Sequence, residues 1–346
     1  MERPKAATLA DVARRAQVSN ATVSRVINGV DVVSATTRNR VQRAIAELGY
    51  RPDERARALA RGQSRTLGLI VSNLENDFYL DIFQALETEA RRWDYEVVVA
   101  NTDYRTERLV SSIRAMVAQR VAGLAIVVTE IEPAVVRELA AEGLPVVVYD
   151  CAVPAANFAT IQIDDYSSTR RIVDYLYSAG HRRFAFVGHH TRHEPLRARE
   201  RAFRDVLRAH PDAFFQIVTD ADSPDGGLRA ARTLVTSDLA PTAVVCLNDF
   251  MAIGVMKGLR EAGLRVPEDV SVTGFDDISL AKFASPALTT MAVPREWIGR
   301  LAASALIPGA GGIALGQEIV VDPELLVRDS TAPCRAPLGP EAAPVR

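Results

Sequence analysis

The sequence predicts an α/β protein in which a small all-α head precedes a larger, doubly wound body of two lobes. Three observations predict it. Residues 8–50 carry apolar side chains at helical spacing and hold no convincing strand. From Leu67 onward, unbroken Val/Ile/Leu-rich runs alternate with amphipathic stretches, the pattern of parallel strands buried on both faces and their crossover helices. That alternation lasts roughly 260 residues, more than one open sheet usually holds, so two lobes are expected.

In the head, Leu9, Val12, Ala13 and Ala16 form one helical stripe. Thr8 with Asp11 three residues on reads as a capping box. Gln17–Ser19 interrupts the pattern. Ser19 or Asn20 caps a second helix whose apolar face is Val23, Val26 and Ile27, stopped at Asn28-Gly29. Ser34 caps a third, with Val41, Ile45 and Leu48 on one side and Gly49 as its stop. Three short helices with a tight turn between the first two make a helix-turn-helix unit, residues 1–50. Residues 51–66 read as a linker in which Pro52 suits a first helical turn and Gly62-Gln63-Ser64 is flexible.

In the body, residues 67–330, the expected strands are Leu67–Val71, Val97–Ala100, Leu124–Val128, Val146–Tyr149, Phe184–Val187, Ile217–Thr219, Ala243–Leu247 and Val270–Gly274. The expected helices lie near Tyr79–Trp93, Arg108–Arg120, Ala134–Ala141, Tyr166–Ala179, Arg197–Ala209, Leu228–Thr236 and Met251–Ala262. Clefts in such folds open at the carboxyl ends of the strands. Residues 331–346 hold four prolines and no apolar periodicity, and read as a disordered tail without heptads for a coiled coil.

The net charge of −2 conceals a division. Residues 1–65 hold 13 Lys/Arg against 6 Asp/Glu, and the remainder 28 against 37. A basic head on an acidic body points the head at a polyanion; a merely solvated charged face gives the same count. Cys151, Cys246 and Cys334 lie far apart with no CxxC, so neither a zinc site nor a disulfide framework is expected, and a reducing cytoplasm is. The N-terminal residues contain no apolar signal core, and runs such as Val121–Val128 are too short to span a bilayer, so no membrane partner is expected. No G-x-G-x-x-G follows a strand, and there is no P-loop and no G-x-S-x-G elbow. An enzyme is therefore not expected, and no catalytic residue, cofactor or metal is assigned. A transport-type binding protein would need an export signal and would not need residues 8–66.

The segment Thr-Leu-Ala-Asp-Val-Ala-Arg-Arg-Ala-Gln-Val-Ser-Asn-Ala-Thr-Val-Ser-Arg-Val-Ile-Asn, residues 8–28, closely resembles the DNA-reading head of the lactose-repressor (LacI/GalR) family. The resemblance continues through Val33-Ser34, Thr37-Arg38 and Leu48-Gly49-Tyr50-Arg51-Pro52. It returns in Val-Cys-Leu-Asn-Asp-Phe-Met-Ala-Ile-Gly, Val-Pro-Glu-Asp-Val-Ser-Val-Thr-Gly-Phe-Asp-Asp-Ile and Ser-Pro-Ala-Leu-Thr-Thr, so it spans roughly residues 8–330 in collinear order. It implies a transcriptional regulator, a repressor, that binds double-stranded operator DNA as a homodimer and answers to a small-molecule effector, a sugar or related metabolite.

With that resemblance, the second helix is the recognition helix. Asn20, Ala21 and Arg25 are expected on base edges: Arg25 bidentate to guanine, Asn20 to adenine, Ala21 against a thymine methyl. Thr22, Ser24, Asn28, Ser34 and Thr37 suit phosphate contacts, although Ser34 also caps. The Asp53–Ala60 stretch matches the family's hinge helix, and Leu59 stands where a leucine wedges into the minor groove; packing against the neighbouring lobe is its alternative role. Asp53 departs from the family's usual Asn and is either unfavourable near phosphate or a cap, with Arg51, Arg55, Arg57 and Arg61 offsetting its charge.

The body resembles the family's effector domain, which is periplasmic-binding-protein-like. Matching positions imply Phe78, Tyr79, Asp150, Asp164, Arg197, Asn248 and Asp276 as effector contacts, with carboxylates, an amide and an arginine around aromatic faces suiting a polyhydroxylated or heterocyclic ligand. His189-His190 is unusual at its strand end: one of the two is expected to contact the effector, His190 being the one assigned, with a surface-loop histidine as the alternative. Asp222 stands near a position where relatives often stack an aromatic ring on the ligand. Ala202 replaces a usual Gly, which alters local packing only.

Overall fold

The computed structural model describes residues 7–27, 32–50, 64–129, 131, 133–151, 155–190 and 194–334. The chain divides into two compact units between Arg65 and Thr66.

The first unit holds α1 (Leu9–Ala16), α2 (Asn20–Ile27) and α3 (Ala35–Leu48). The expected capping box forms: the Thr8 hydroxyl accepts the Asp11 N–H at 3.3 Å, and the Asp11 carboxylate accepts the Thr8 N–H at 2.9 Å. Gln17, at φ 53, turns the chain out of α1 in the left-handed conformation that satisfies its last carbonyls. The Ser19 hydroxyl accepts the Thr22 N–H at 3.2 Å, so Ser19 rather than Asn20 caps α2. Ser34 caps α3, which ends at Gly49. Val12, Ala13, Ala16, Val23, Val26, Val41 and Ala44 close a small core.

The second unit contains two parallel sheets. The first runs β11-β5-β4-β3-β1-β2, built from β1 (Thr66–Val71), β2 (Glu96–Asn101), β3 (Gly123–Val127), β4 (Val146–Tyr149), β5 (Phe158–Ile163) and β11 (Glu318–Val321). The second runs β7-β6-β8-β9, from β6 (Arg183–Gly188), β7 (Phe214–Thr219), β8 (Ala243–Cys246) and β9 (Ser271–Thr273). A ribbon pairs β10 (Thr290–Ala292) antiparallel with β12 (Glu324–Leu326). The central strands are buried as expected, whereas the edge strands β2 and β7 leave Val98 and Phe214 exposed.

The helices are α4 (Asp77–Arg92), α5 (Thr106–Ala118), α6 (Pro133–Ala141), α7 (Asp165–Ser178), α8 (Glu194–Arg208), α9 (Pro224–Val235), α10 (Asp249–Glu261) and α11 (Arg295–Leu306). Glycines let two pairs approach closely. A Cβ on Gly254 of α10 would lie 1.9 Å from the Pro224 carbonyl oxygen of α9, and one on Gly299 of α11 would lie 2.3 Å from that of Ile82 in α4. The chain enters the second lobe after β5, returns to lay α11 on α4 and β11 beside β5, then crosses back.

The sequence reading did not foresee β5, β10, β11, β12 or α11. It also placed the tail from residue 331, whereas residues 331–334 are docked. The Ala332 carbonyl lies 3.1 Å from His181 Nε2, and the Cys334 N–H donates to the Ala179 carbonyl at 2.8 Å. These partners lie far away in sequence, so no local signal marks them. Among the described residues no helix is long and apolar enough to cross a membrane.

Candidate functional site

In the first unit, α2 turns Val23 and Val26 inward and leaves Asn20, Ala21 and Arg25 exposed. Arg14 and Arg15 are engaged by Asp11 and Glu47, while Arg25 forms no ion pair among the described residues. Thr22 is half-buried with its hydroxyl 3.0 Å from that of Ser19, and Ser24 is half-buried too. Ser34 is exposed and donates its hydroxyl to that of Thr37 at 3.0 Å. Asn28 and Leu59 lie outside the described residues.

In the second unit the two sheets share one winding order, β2-β1-β3-β4-β5 in the first and β7-β6-β8-β9 in the second. In this order the crossover direction reverses beside β1 and beside β6, which leaves a crevice at the carboxyl edge of each sheet. The polar side chains gather at those edges. Phe78 and Tyr79 follow β1, Tyr104 follows β2, Asp150 follows β4, and Asp165 follows β5. His189 follows β6, Asp222 follows β7, Asn248 follows β8, and Asp276 follows β9. Tyr104 of the first lobe donates its hydroxyl to Asp222 of the second at 2.9 Å, so the two edges meet.

Arg199 is the centre of the cluster. Its side chain is 4% exposed and that of Asp165 2%. Nε donates to Asp165 at 2.6 Å, Nη1 to the Leu247 carbonyl at 2.7 Å, and Nη1 lies 3.8 Å from Asp276. The guanidinium stacks on the Phe275 ring at 3.5 Å. Asn248 caps α10 through its amide oxygen and donates its amide to Asp222 at 2.8 Å. Asp150 accepts the Ile163 N–H at 2.7 Å, and Phe78 meets Tyr79 and Tyr149 edge-on at 5.1 and 5.7 Å.

Three residues expected as effector contacts lie off the strand-end cluster, and a neighbour of each lies in it. Arg197 is 63% exposed beside Glu194; Arg199, two residues on, shares the buried face of α8 with Ala202 and Phe203. Asp164 caps α7 by accepting the Ser167 N–H at 3.0 Å, and Asp165 turns inward. His190 is exposed and contacts the Thr219 hydroxyl, whereas His189 lies 3.8 Å from Asp222. Phe78, Tyr79, Asp150, Asn248 and Asp276 are all brought to the strand ends and buried. Tyr104, Asp249 and Arg295 were not foreseen. Arg295 reaches Asp81 of α4 at 2.9 Å and also donates to the Asp276 carbonyl.

Burial dominates the electrostatics. It lifts the Asp276 carboxyl to about 7; Arg199 and Arg295 pull against it, while Asp222 and Asp165 add to it. Burial likewise raises Asp150, helped by Asp165, and raises Asp165 against the pull of Arg199. Asp249 rises through burial and the charge of Asp276, although Thr290 and the Ile278 N–H hold it. For Arg199, burial opposes the charge, but Asp165 and Asp276 outweigh it and keep the guanidinium ionised. Asp150 at φ 51, Tyr104 at φ 56, Asp276 at φ 112 and Asp277 at φ 55 occupy strained backbone at the same strand ends. Such an arrangement is prepared to hold a small polar molecule, with donors, acceptors and aromatic faces fixed in advance.

Comparison with known proteins agrees with both units. The profile of the bacterial regulatory proteins, lacI family, matches residues 8–53, and that of the periplasmic binding protein-like domain matches residues 173–331. The HTH-type transcriptional repressor CytR of Escherichia coli (strain K12) is 32% identical over 333 residues, covering 94% of this chain and 96% of that one. The ribose operon repressor of Haemophilus influenzae is 32% identical, covering 87% and 91%. Among solved structures, the lac repressor dimer bound to operator and the anti-inducer ONPF superposes with a TM-score of 0.80 at 29% identity, covering 95% of this chain and 100% of that one. A regulator of the same family from Enterococcus faecium, with bound ribose, gives 0.67 at 26%, covering 78% and 100%. Motifs, fold and full-length relatives agree: the chain belongs to the lacI family of bacterial regulatory proteins.

Proposed function

We propose that this chain is a sequence-specific transcriptional repressor. It binds double-stranded operator DNA as a homodimer in the cytoplasm, and its operator affinity is set by a sugar or related metabolite. Asn20, Ala21 and Arg25 read bases, and Thr22, Ser24, Asn28, Ser34 and Thr37 hold phosphates. Leu59 wedges into the minor groove. Phe78, Tyr79, Asp150, Asp165, Arg199, Asn248 and Asp276 hold the effector. Two-fold symmetry doubles the few base pairs one recognition helix covers, so the operator is near-palindromic. The reading is control of transcription and not catalysis; both relatives described above are repressors.

One observation carries the proposal. A single chain joins an outward-facing recognition helix to a buried, charge-coupled cluster at the carboxyl ends of two parallel sheets. A gel-shift with genomic fragments, repeated with each sugar, sugar acid and nucleobase that raises the melting temperature, tests it. The proposal expects a palindromic fragment to be bound and one compound to change that binding. Full-affinity binding of a monomer to a lone half-site overturns the dimeric reading.

A further inference from the structure

Asp222 stands where the two lobes meet. Its side chain is 10% exposed and accepts the Tyr104 hydroxyl at 2.9 Å and the Asn248 amide at 2.8 Å, with His189 Nε2 at 3.8 Å. Around it the strand ends carry Asp150, Asp165 and Asp276, and α4 carries Asp81. Against these carboxyls the described residues set two guanidiniums and the His189 imidazole. Both guanidiniums are committed: Arg199 to Asp165, the Leu247 carbonyl and Asp276, and Arg295 to Asp81 and the Asp276 carbonyl. Asp165 Oδ2 is buried with no hydrogen-bond partner among the described residues, an acceptor whose demand a donor can meet.

We infer that Asp222 sets the charge class of the effector: the cleft takes a donor-rich polyhydroxylated molecule that is neutral or amine-bearing, and rejects its phosphorylated or carboxylated counterpart. The inference rests on the body being an effector-binding domain. Ligand hydroxyls and amines donate to Asp165 Oδ2, which now lacks a donor, and to the lone pairs that Asp222 and Asp276 still offer. A phosphate or carboxylate brings further acceptors to a site whose donors, Arg199, Arg295, Tyr104 and Asn248, already serve acceptors of the chain. It also adds negative charge where burial and mutual repulsion already favour the protonated carboxyls. Asp222 decides the matter because the two donors that hold it are neutral groups, unlike the guanidiniums beside Asp165 and Asp81.

Calorimetric titration of the full chain tests this. D-ribose, D-glucose and adenosine are each compared with their phosphate ester, and D-glucose also with gluconate, in wild type, Asp222→Asn and Tyr104→Phe. Operator binding serves as the folding control. Wild type should bind at least one neutral compound and discriminate against its anionic counterpart by about tenfold or more. Asp222→Asn keeps the shape and an acceptor for Tyr104, and should narrow that ratio by about tenfold. Tyr104→Phe keeps the carboxylate and should retain the discrimination. An anion that binds wild type as tightly as its neutral parent overturns the inference, as does an unchanged ratio in Asp222→Asn or a lost one in Tyr104→Phe. Failure of every compound to bind a chain that still binds operator overturns the effector reading, and the inference with it.

Discussion

The recognition helix and the strand-end cluster carry function in opposite ways. On α2 the candidate side chains face outward on a short capped helix, and the core beneath them is seven small residues. Their ion-paired neighbours, Arg15 and Glu47, are exposed, so that pair contributes about 1 kcal/mol or less. In the cluster, Arg199 and Asp165 are nearly inaccessible, and each is held by the others. A substitution of an exposed α2 side chain should remove one proposed contact to DNA and leave the fold. A substitution in the cluster removes a partner and leaves a charge stranded in a dry interior. The first kind of site is additive and the second is coupled.

The sharpest break should come at Arg199. Arg199→Ala leaves Asp165 and Asp276 without their guanidinium and should destabilise the body by about 3–5 kcal/mol. Urea denaturation measures it. Asp276→Asn should act through pH. With its carboxyl at about 7 in the fold and 3.8 unfolded, Asp276 contributes fully below pH 3.8, and that contribution is lost as pH rises to about 7. The upper bound is about 4 kcal/mol. The difference between wild type and Asp276→Asn should therefore change across that window and flatten above it. Taking the difference cancels the opposite effect of His181, which does not interact with Asp276, whereas the part of the Asp249 rise that comes from the Asp276 charge is lost with it.

On α2 the effects should be smaller and confined to DNA. Arg25→Ala should cost about 1–3 kcal/mol of operator affinity and relax specificity at one guanine per half-site, with the denaturation midpoint unchanged. Equal weakening on all sequences would make Arg25 a phosphate contact. Thr8→Ala, which removes the capping box of α1, should cost about 1 kcal/mol of head stability. Arg197→Ala should move stability by about 0.5 kcal/mol or less, since among the described residues its charge is paired with Glu194 at the surface. A larger loss there than at Arg199 would reverse the assignment.

Local signals carried the head. Caps and stops at Thr8, Ser34 and Gly49 act within four residues, so the chain itself states where α1 and α3 begin and where α3 ends. The choice of Arg199 over Arg197 was also legible, because only Arg199 is spaced three and four residues from Ala202 and Phe203. The choice of Asp165 over Asp164 follows the same logic, one residue capping and the next turning inward. The Tyr104–Asp222 bond spans 118 residues and had no local mark. Neither had β11, β12 and the docked residues 331–334, whose pairing exists only once the chain has crossed between lobes. Helix α11 contains Gly299, a poor helix former retained for close packing on α4, and propensity alone hides it.

Effector and operator are proposed to be linked through one chain. Titrating effector into the free protein and into the protein–operator complex, then titrating operator with and without effector, measures that linkage directly. The two ratios should be equal, at roughly 5–150-fold, because the coupling free energy is reciprocal. The Arg199→Ala variant, if it still binds operator, should show a ratio of one. Effector binding with the same affinity to free and operator-bound protein would contradict the account.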